Sequence, residues 1–174
     1  MGRLVGLGSE AYHPIVAALR GDNPKVIARM RTGFAVIGDT QHLPGYSLLL
    51  TDDLEVDHPT DLPWPRRRDF FLDLALLGEA VLTVTKERGA HRINYEVLGN
   101  SWPHLHGHVH ARYTWEPADK VGGPVWRYPK ELRNAPEHAY DETRHGRLRR
   151  AIESELNRLM SEAYAALDAL HHGG

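Results

Sequence analysis

Residues 104–110, "HLHGHVH", place a histidine at every second position: His104, His106, His108 and His110. Steps of two do not share a face of an α-helix, but in a β-strand they point to one side. The run therefore reads as a strand, with same-face imidazoles about 6.7 Å apart. Leu105 and Val109 fall on the other face, where they pack a core, and Gly107 lies between them.

The flanking segments show what accompanies this strand. Residues 10–21 read as a short helix ended by Gly21. "GFAVIGD" (33–39) is apolar and β-branched, and "SLLLT" (47–51) follows it across "TQHLPGY" with its Pro-Gly turn. Together they predict an antiparallel pair. A Pro- and Asp-rich loop (52–65) leads to Pro65, a first-turn proline for a helix over 66–88. Phe70, Leu74, Leu77, Val81 and Val84 give that helix one buried stripe, and Gly89 ends it. Residues 92–100 read as the strand before the histidines. Residues 114–142 lack periodicity and predict an ordered loop packed by Trp115, Trp126 and Tyr128. Residues 143–170 carry Leu148, Ile152, Leu156, Leu159, Tyr164 and Leu167 on one face and predict a packing helix with a frayed "HHGG" tail.

Composition narrows the class. The 174 residues suit one domain with an appendage, and 41% hydrophobic with 25% charged residues is ordinary for a soluble globular chain. A net charge of -2 gives no general attraction to nucleic acid or anionic membrane. With no cysteine, disulfides and thiolate metal sites are excluded. The first residues lack the basic and apolar pattern of a secretory signal. No stretch approaches the roughly 18 apolar residues of a membrane span. Gly2 lacks the Ser or Thr at position 6 that myristoylation favours. A cytoplasmic protein is expected.

Three uses of the histidines compete. One is a polar, solvated strand face. A second is metal binding, since histidines two apart on a strand can share an ion; four in line make a poor tetrahedron, and no Asp or Glu adjoins them. The third is nucleophilic catalysis, for which imidazole suits as attacking base, proton donor and orienting neighbour.

"GNSWPHLHGHVHARY" resembles the signature of the histidine triad superfamily, His-φ-His-φ-His-φ-φ with φ apolar. It looks most like the diadenosine tetraphosphate hydrolase branch, with a similar Gly-Asn, Pro-His-Leu-His and later Arg-Tyr. The order strand, Pro-Gly turn, strand, long helix, strand, histidine strand matches too, over residues 10 to 115. The resemblance implies an α+β fold with an antiparallel sheet and a long helix. Residues 1–115 then form the catalytic domain, and 116–174 a loop-and-helix extension packed on it.

By position, the resemblance makes His106 the nucleophile that attacks a nucleotide's α-phosphorus and becomes nucleotidylated. His104 and His108 flank and orient it. Asp39 is implied to bind ribose hydroxyls, and Asn94 and Ser101 the phosphates or leaving group; Asn100 belongs to the same substrate-binding set. Two positions depart from the family pattern. Tyr46 stands where Pro-Gly-His is usual, with His42 a candidate to compensate, and His110 occupies the last φ. The implied activity is hydrolysis of diadenosine polyphosphates. Phosphoramidase, phosphorolytic nucleotidyltransferase, and non-catalytic nucleotide or metal binding are the rivals. The implied enzyme holds no cofactor of its own, a divalent cation arriving with the nucleotide, and forms a homodimer through the long helix and sheet edge. Lys120, Arg127 and Lys130 would hold extra phosphates if "KVGGPVWRYPK" folds back, with Trp126 and Tyr128 packing that segment.

Overall fold

The computed structural model describes residues 13–172. The secretory and Gly2 readings, the start of the 10–21 helix and the last two glycines lie outside them. Five strands form one sheet: β1 (Val26–Arg29), β2 (Gly33–Ile37), β3 (Ser47–Thr51), β4 (Ala90–Glu96) and β5 (His106–Tyr113). Their order is β1-β2-β3-β5-β4, and every neighbouring pair is antiparallel. The histidine strand, last in the chain, thus lies inside the sheet between β3 and β4.

The alternation in β5 sorts its side chains as expected. Gly107, Val109, Ala111 and Tyr113 face helices α2 (Trp64–Thr85) and α3 (Glu142–His172). Of the stripe read from the sequence, α2 buries Phe70, Leu74, Leu77 and Val81, while Val84 is only partly buried against them. It starts two residues earlier than expected and gives way after Thr85 to a 3-10 turn, Lys86–Arg88, closed by Gly89 at φ 91°. Leu74 occupies the space a side chain at 107 would need: a Cβ there would lie 2.6 Å from Leu74 Cδ1. α3 adds Leu148, Ile152, Leu156 and Leu159 to the same core, so the extension shares one core with the sheet. Asp73 of α2, fully buried, accepts from Thr32 N at 2.8 Å and from Tyr164 Oη at 2.5 Å, tying both helices to the β1–β2 turn.

The opposite face carries His106, His108, His110 and Arg112. Helix α1 (Pro14–Arg20) covers one side of it, its Ile15 and Ala18 packed on Phe34, Val36 and Leu50. The other side is covered by residues 114–141. This segment is a strap of single helical turns: Ala118–Val121, Val125–Arg127, Lys130–Arg133 and Pro136–His138. Prolines 117, 124 and 129 cap the first three, and Pro136 begins the fourth. Arg112 and Glu116 anchor it as a buried bidentate pair, Nε–Oε1 2.9 Å and Nη2–Oε2 2.8 Å. Arg112 also donates to the carbonyls of Lys120 and Gly123, and Tyr128 Oη donates to Glu116 at 2.8 Å. The strap ends on a bridge between Thr40 and Ala139, with Tyr140 N donating to Asp39 O at 2.8 Å. Of the three aromatics expected to pack this region, Tyr128 is buried, while Trp115 and Trp126 stay partly exposed.

Candidate active site

The site is built on β5. His106, His108 and His110 are all buried on the strap side. Partners fix the tautomers of His106 and His108. His106 Nδ1 lies 2.6 Å from the His104 carbonyl. A carbonyl only accepts, so Nδ1 carries the proton and Nε2 keeps a free lone pair. Burial is the main reason the His106 pKa lies below its ordinary value, which keeps the ring neutral.

His108 Nδ1 lies 2.8 Å from Tyr46 Oη. Burial first, then Asp39 and Glu96, pushes the Tyr46 pKa up, so the phenol keeps its proton, and among the described residues the hydroxyl has His108 Nδ1 as its one acceptor. His108 is then protonated on Nε2, the reverse of His106. Burial, with the neighbouring His106, lowers the His108 pKa to about 4. The Tyr46 ring also stacks on His110, centroids 4.2 Å apart and planes within 3°. Burial takes the His110 pKa down to about 3. Neither His110 nitrogen has a hydrogen-bond partner among the described residues, and the nearest acid, Glu96, lies 3.8 Å away.

Two cavities meet at these rings. One, of about 440 Å³, is lined by Leu98, Asn100, Ser101, His106, His108 and Trp126. The other, of about 430 Å³, has Val36, Leu48 and Leu50 as its floor, Pro14 and Trp102 as walls, and Lys25 with Asp39 among its polar residues. Leu50 faces His106 across the ladder and Leu48 faces His108, so the two cavities abut. Trp126 lines both and meets His108 and His110 edge-on at 5.6 and 5.7 Å. One space is thus apolar with a carboxylate at its edge. The other sets Asn100, Ser101 and the His106 and His108 rings among the apolar Leu98 and Trp126.

The sequence-predicted residues divide accordingly. His106, His108, Asn100 and Ser101 come together in the histidine cavity. Asp39 and Tyr46 line the apolar one, Asp39 exposed and paired with Lys25. Asn94 lies on the same face, opposite His110, but its Oδ1 accepts from Arg112 Nη1 at 2.9 Å and it lines neither cavity. The structure gives it to the strap anchor in place of the phosphate contact expected. His104 precedes the strand rather than opening it, and its ring lines neither cavity. His42 does not compensate for Tyr46: it packs on Tyr128 and His138, while Tyr46 itself reaches His108. The strap does fold back over the histidines, yet Lys120, Arg127 and Lys130 line neither cavity; the cations that do are Lys25 and Arg133. Trp102, Arg133 and Leu98 were not singled out from the sequence. Nothing local marks them, because α1, the strap and the β4–β5 loop bring them in. Among the described residues, no cluster of three or more His, Asp or Glu is arranged to hold a metal ion.

No protein-family model and no curated protein sequence matches the chain. Solved structures do. A histidine triad protein from Marinobacter aquaeolei VT8 is 21% identical with a TM-score of 0.63, over 77% of this chain and 89% of that one. A histidine triad protein from Bradyrhizobium japonicum is 22% identical with a TM-score of 0.60, over 86% and 97%. A hypothetical histidine triad nucleotide-binding protein from Sulfolobus tokodaii strain7 is 12% identical with a TM-score of 0.61, over 83% and 91%. At these identities the likeness is one of fold. The chain has the α+β fold of histidine triad proteins.

Proposed function

We propose that the protein is a histidine triad enzyme that hydrolyses nucleotides at the α-phosphate through a nucleotidyl-histidine intermediate. The observation that carries this is the pair of opposite tautomers: a bare His106 Nε2 beside a protonated His108 Nε2, at the junction of the two cavities. The fold shared with a histidine triad nucleotide-binding protein supports it.

The chemistry follows from those atoms. A neutral imidazole escapes the repulsion that phosphate oxygens exert on an anion. The His106 Nε2 lone pair forms a bond to phosphorus, and the bond to the leaving group breaks with its electron pair going to the leaving atom. His108 Nε2–H hydrogen-bonds that atom. His106 keeps the proton on Nδ1, donated to the His104 carbonyl, while the ring carries positive charge. Water then attacks phosphorus, the P–N bond breaks, and His106 recovers its lone pair. A polyphosphate departs as its anion, whereas an amide nitrogen takes a proton from solvent as its bond breaks; one hydrogen of the attacking water stays on the nucleoside monophosphate and the other returns to solvent. Two inversions give retention at phosphorus. Asn100 and Ser101 supply neutral donors for the phosphoryl oxygens. The apolar cavity takes the nucleoside, with Asp39 accepting from the ribose hydroxyls.

Diadenosine polyphosphate is the substrate the sequence resemblance implies. A nucleoside phosphoramidate is a second reading, favoured by one observation: among the described residues no Lys or Arg lines the histidine cavity, where extra phosphates would need them. The deciding experiment incubates the protein with diadenosine tetraphosphate and, separately, with adenosine 5′-phosphoramidate. Products are resolved by chromatography and the quenched enzyme by peptide mass spectrometry. An adenylyl adduct on His106 and release of AMP are expected; an adduct on another histidine, or none with turnover intact, rejects the mechanism.

We infer a homodimer as well. β4 is a sheet edge; its Tyr95, lying over Gly78 of α2, is about half exposed, as is Phe71 of α2. Light scattering should give twice the 19.6 kDa chain mass; a monomer at micromolar concentration rejects this. No helix among the described residues is long and apolar enough to cross a membrane.

A further inference from the structure

His13 and His104 lie 91 residues apart in the chain, yet their Nε2 atoms are 3.2 Å apart. The second nitrogen of each ring is already committed. His13 Nδ1 accepts the backbone N–H of Val16 at 3.4 Å, as the cap of α1. It therefore bears no proton, and in the neutral ring the proton is on Nε2. His104 Nδ1 lies 3.2 Å from the Leu54 carbonyl, which only accepts. That nitrogen bears the proton, and His104 Nε2 is bare. One ring thus presents a donor and the other an acceptor, facing each other. No other pair of neutral tautomers satisfies all three bonds. Trp102 packs on both rings, with centroids 5.7 Å from His13 and 5.0 Å from His104.

This arrangement bears on the next residue but one. The His104 ring is turned from the cavity, while its carbonyl is the group that holds the proton on His106 Nδ1. An imidazole whose Nδ1–H loses its acceptor is free to move the proton to Nε2, and in that tautomer it has no lone pair to attack with. We propose that His13 is a positioning residue for the nucleophile. By clasping the His104 ring against α1, it keeps the His104 carbonyl on His106 and the His106 lone pair in the cavity. The inference rests on His106 as nucleophile, but its structural half does not depend on which substrate is cleaved. His13 touches no reacting atom; it acts through His104.

Two substitutions separate this role from the helix cap. The side-chain oxygen of Asn reaches about as far as imidazole Nδ1, so His13→Asn keeps the cap and loses the bond to His104. The amide nitrogen of Gln reaches about as far as Nε2, so His13→Gln keeps the donor to His104 and loses the cap. The readouts are kcat and KM on adenosine 5′-phosphoramidate and the 15N shifts of the His106 ring, which report its tautomer without substrate. His13→Asn should lower kcat about tenfold at unchanged KM, the scale of one neutral hydrogen bond. Its His106 should show a mixture of tautomers. Relative to that variant, His13→Gln should recover most of the lost kcat and a single Nδ1–H tautomer. If His13→Asn keeps wild-type kcat and a single tautomer, or if His13→Gln is as impaired as His13→Asn, His13 only caps the helix and the proposal is wrong. A wild-type protein that turns over no nucleotide would overturn the enzymatic reading, while the nitrogen shifts still decide whether His13 orders His106.

Discussion

The eight residues of β5 are buried on both faces, but by opposite chemistry. Toward α2, Gly107 meets Leu74, and Val109, Ala111 and Tyr113 share one core with Leu77 and with the aliphatic residues of α3. Burial there stabilises the fold, by roughly 25 cal/mol for each Å² of apolar surface removed from water. Toward the strap, His106, His108, His110 and Arg112 are equally hidden, and burial there is a cost. The imidazoles resist protonation, and both His110 nitrogens lack partners among the described residues. A buried polar group left unpaired costs about 1–3 kcal/mol. The same strand therefore draws stability from one face and spends part of it on the other to keep neutral, oriented imidazoles.

The largest test exchanges neighbours across that divide. His106→Ala should reduce turnover at least about a thousandfold, as loss of a nucleophile does elsewhere. Its denaturant midpoint should move little. Gly107→Val, one residue on, should do the reverse at first instance. Its side chain meets Leu74, and overpacking of this kind costs about 1–3 kcal/mol. Urea unfolding and steady-state turnover on both variants measure the two effects. If Gly107→Val unfolds no more easily than wild type, the helix side is looser than its contacts imply.

What the sequence disclosed follows the same divide. Period two announced β5, and the 3-4 spacing of Phe70, Leu74, Leu77 and Val81 announced α2, because apolar burial imposes periodicity. β1 went unread: Val26–Arg29 is only four residues long, is bulged between Val26 and Ala28, and ends in an exposed arginine. On the polar face, residue types were legible and contacts were not. His106 and His108 could be placed from alternation and resemblance. Alternation also put His104 on the strand, whereas its ring is captured by His13 from a distant helix. Asn94 looked free in the sequence because Arg112 and the strap that occupies it come later in the chain. Trp126 was legible as a residue packing the strap, but not its place edge-on to His108 and His110, which depends on the Arg112–Glu116 anchor. The four prolines that start the strap's turns were visible, but read one at a time they say loop, not helical strap.

A second test reads the cost of the histidine face directly through pH. His110 has a folded-state pKa of about 3, below the roughly 6.5 of an unfolded chain. Between these values the unfolded chain binds the extra proton, so stability rises with pH. The contribution is full above about 6.5 and is lost as pH falls from there toward 3. His110→Phe keeps a flat ring against Tyr46 and removes the titrating group. Its stability should equal or exceed wild type at pH 7 by up to about 1 kcal/mol, because two unpaired nitrogens are gone. Its decline between pH 6.5 and 4 should be shallower. Denaturant midpoints measured across that range check both points. An unchanged slope would mean that His110 finds a partner in solution and that this face costs less than stated.

The smallest effect belongs to Tyr46, which serves both sides of the comparison at once. Its ring stacks on His110, a packing contribution, and its hydroxyl sets the proton on His108, a catalytic one. Tyr46→Phe removes the second and spares the first. His108 would then choose its tautomer freely, and the fraction with Nε2 bare could not hydrogen-bond the leaving atom. One neutral hydrogen bond is worth about 0.5–1.5 kcal/mol, so kcat should fall by up to about tenfold. KM should hold, because the apolar cavity keeps its ring at this position. The His108 15N shifts should move from a single Nε2–H tautomer to a mixture, while the urea midpoint stays near wild type. Should kcat and the tautomer stay put while the midpoint falls, Tyr46 belongs with the packing, and the proton on His108 must be set by the substrate itself.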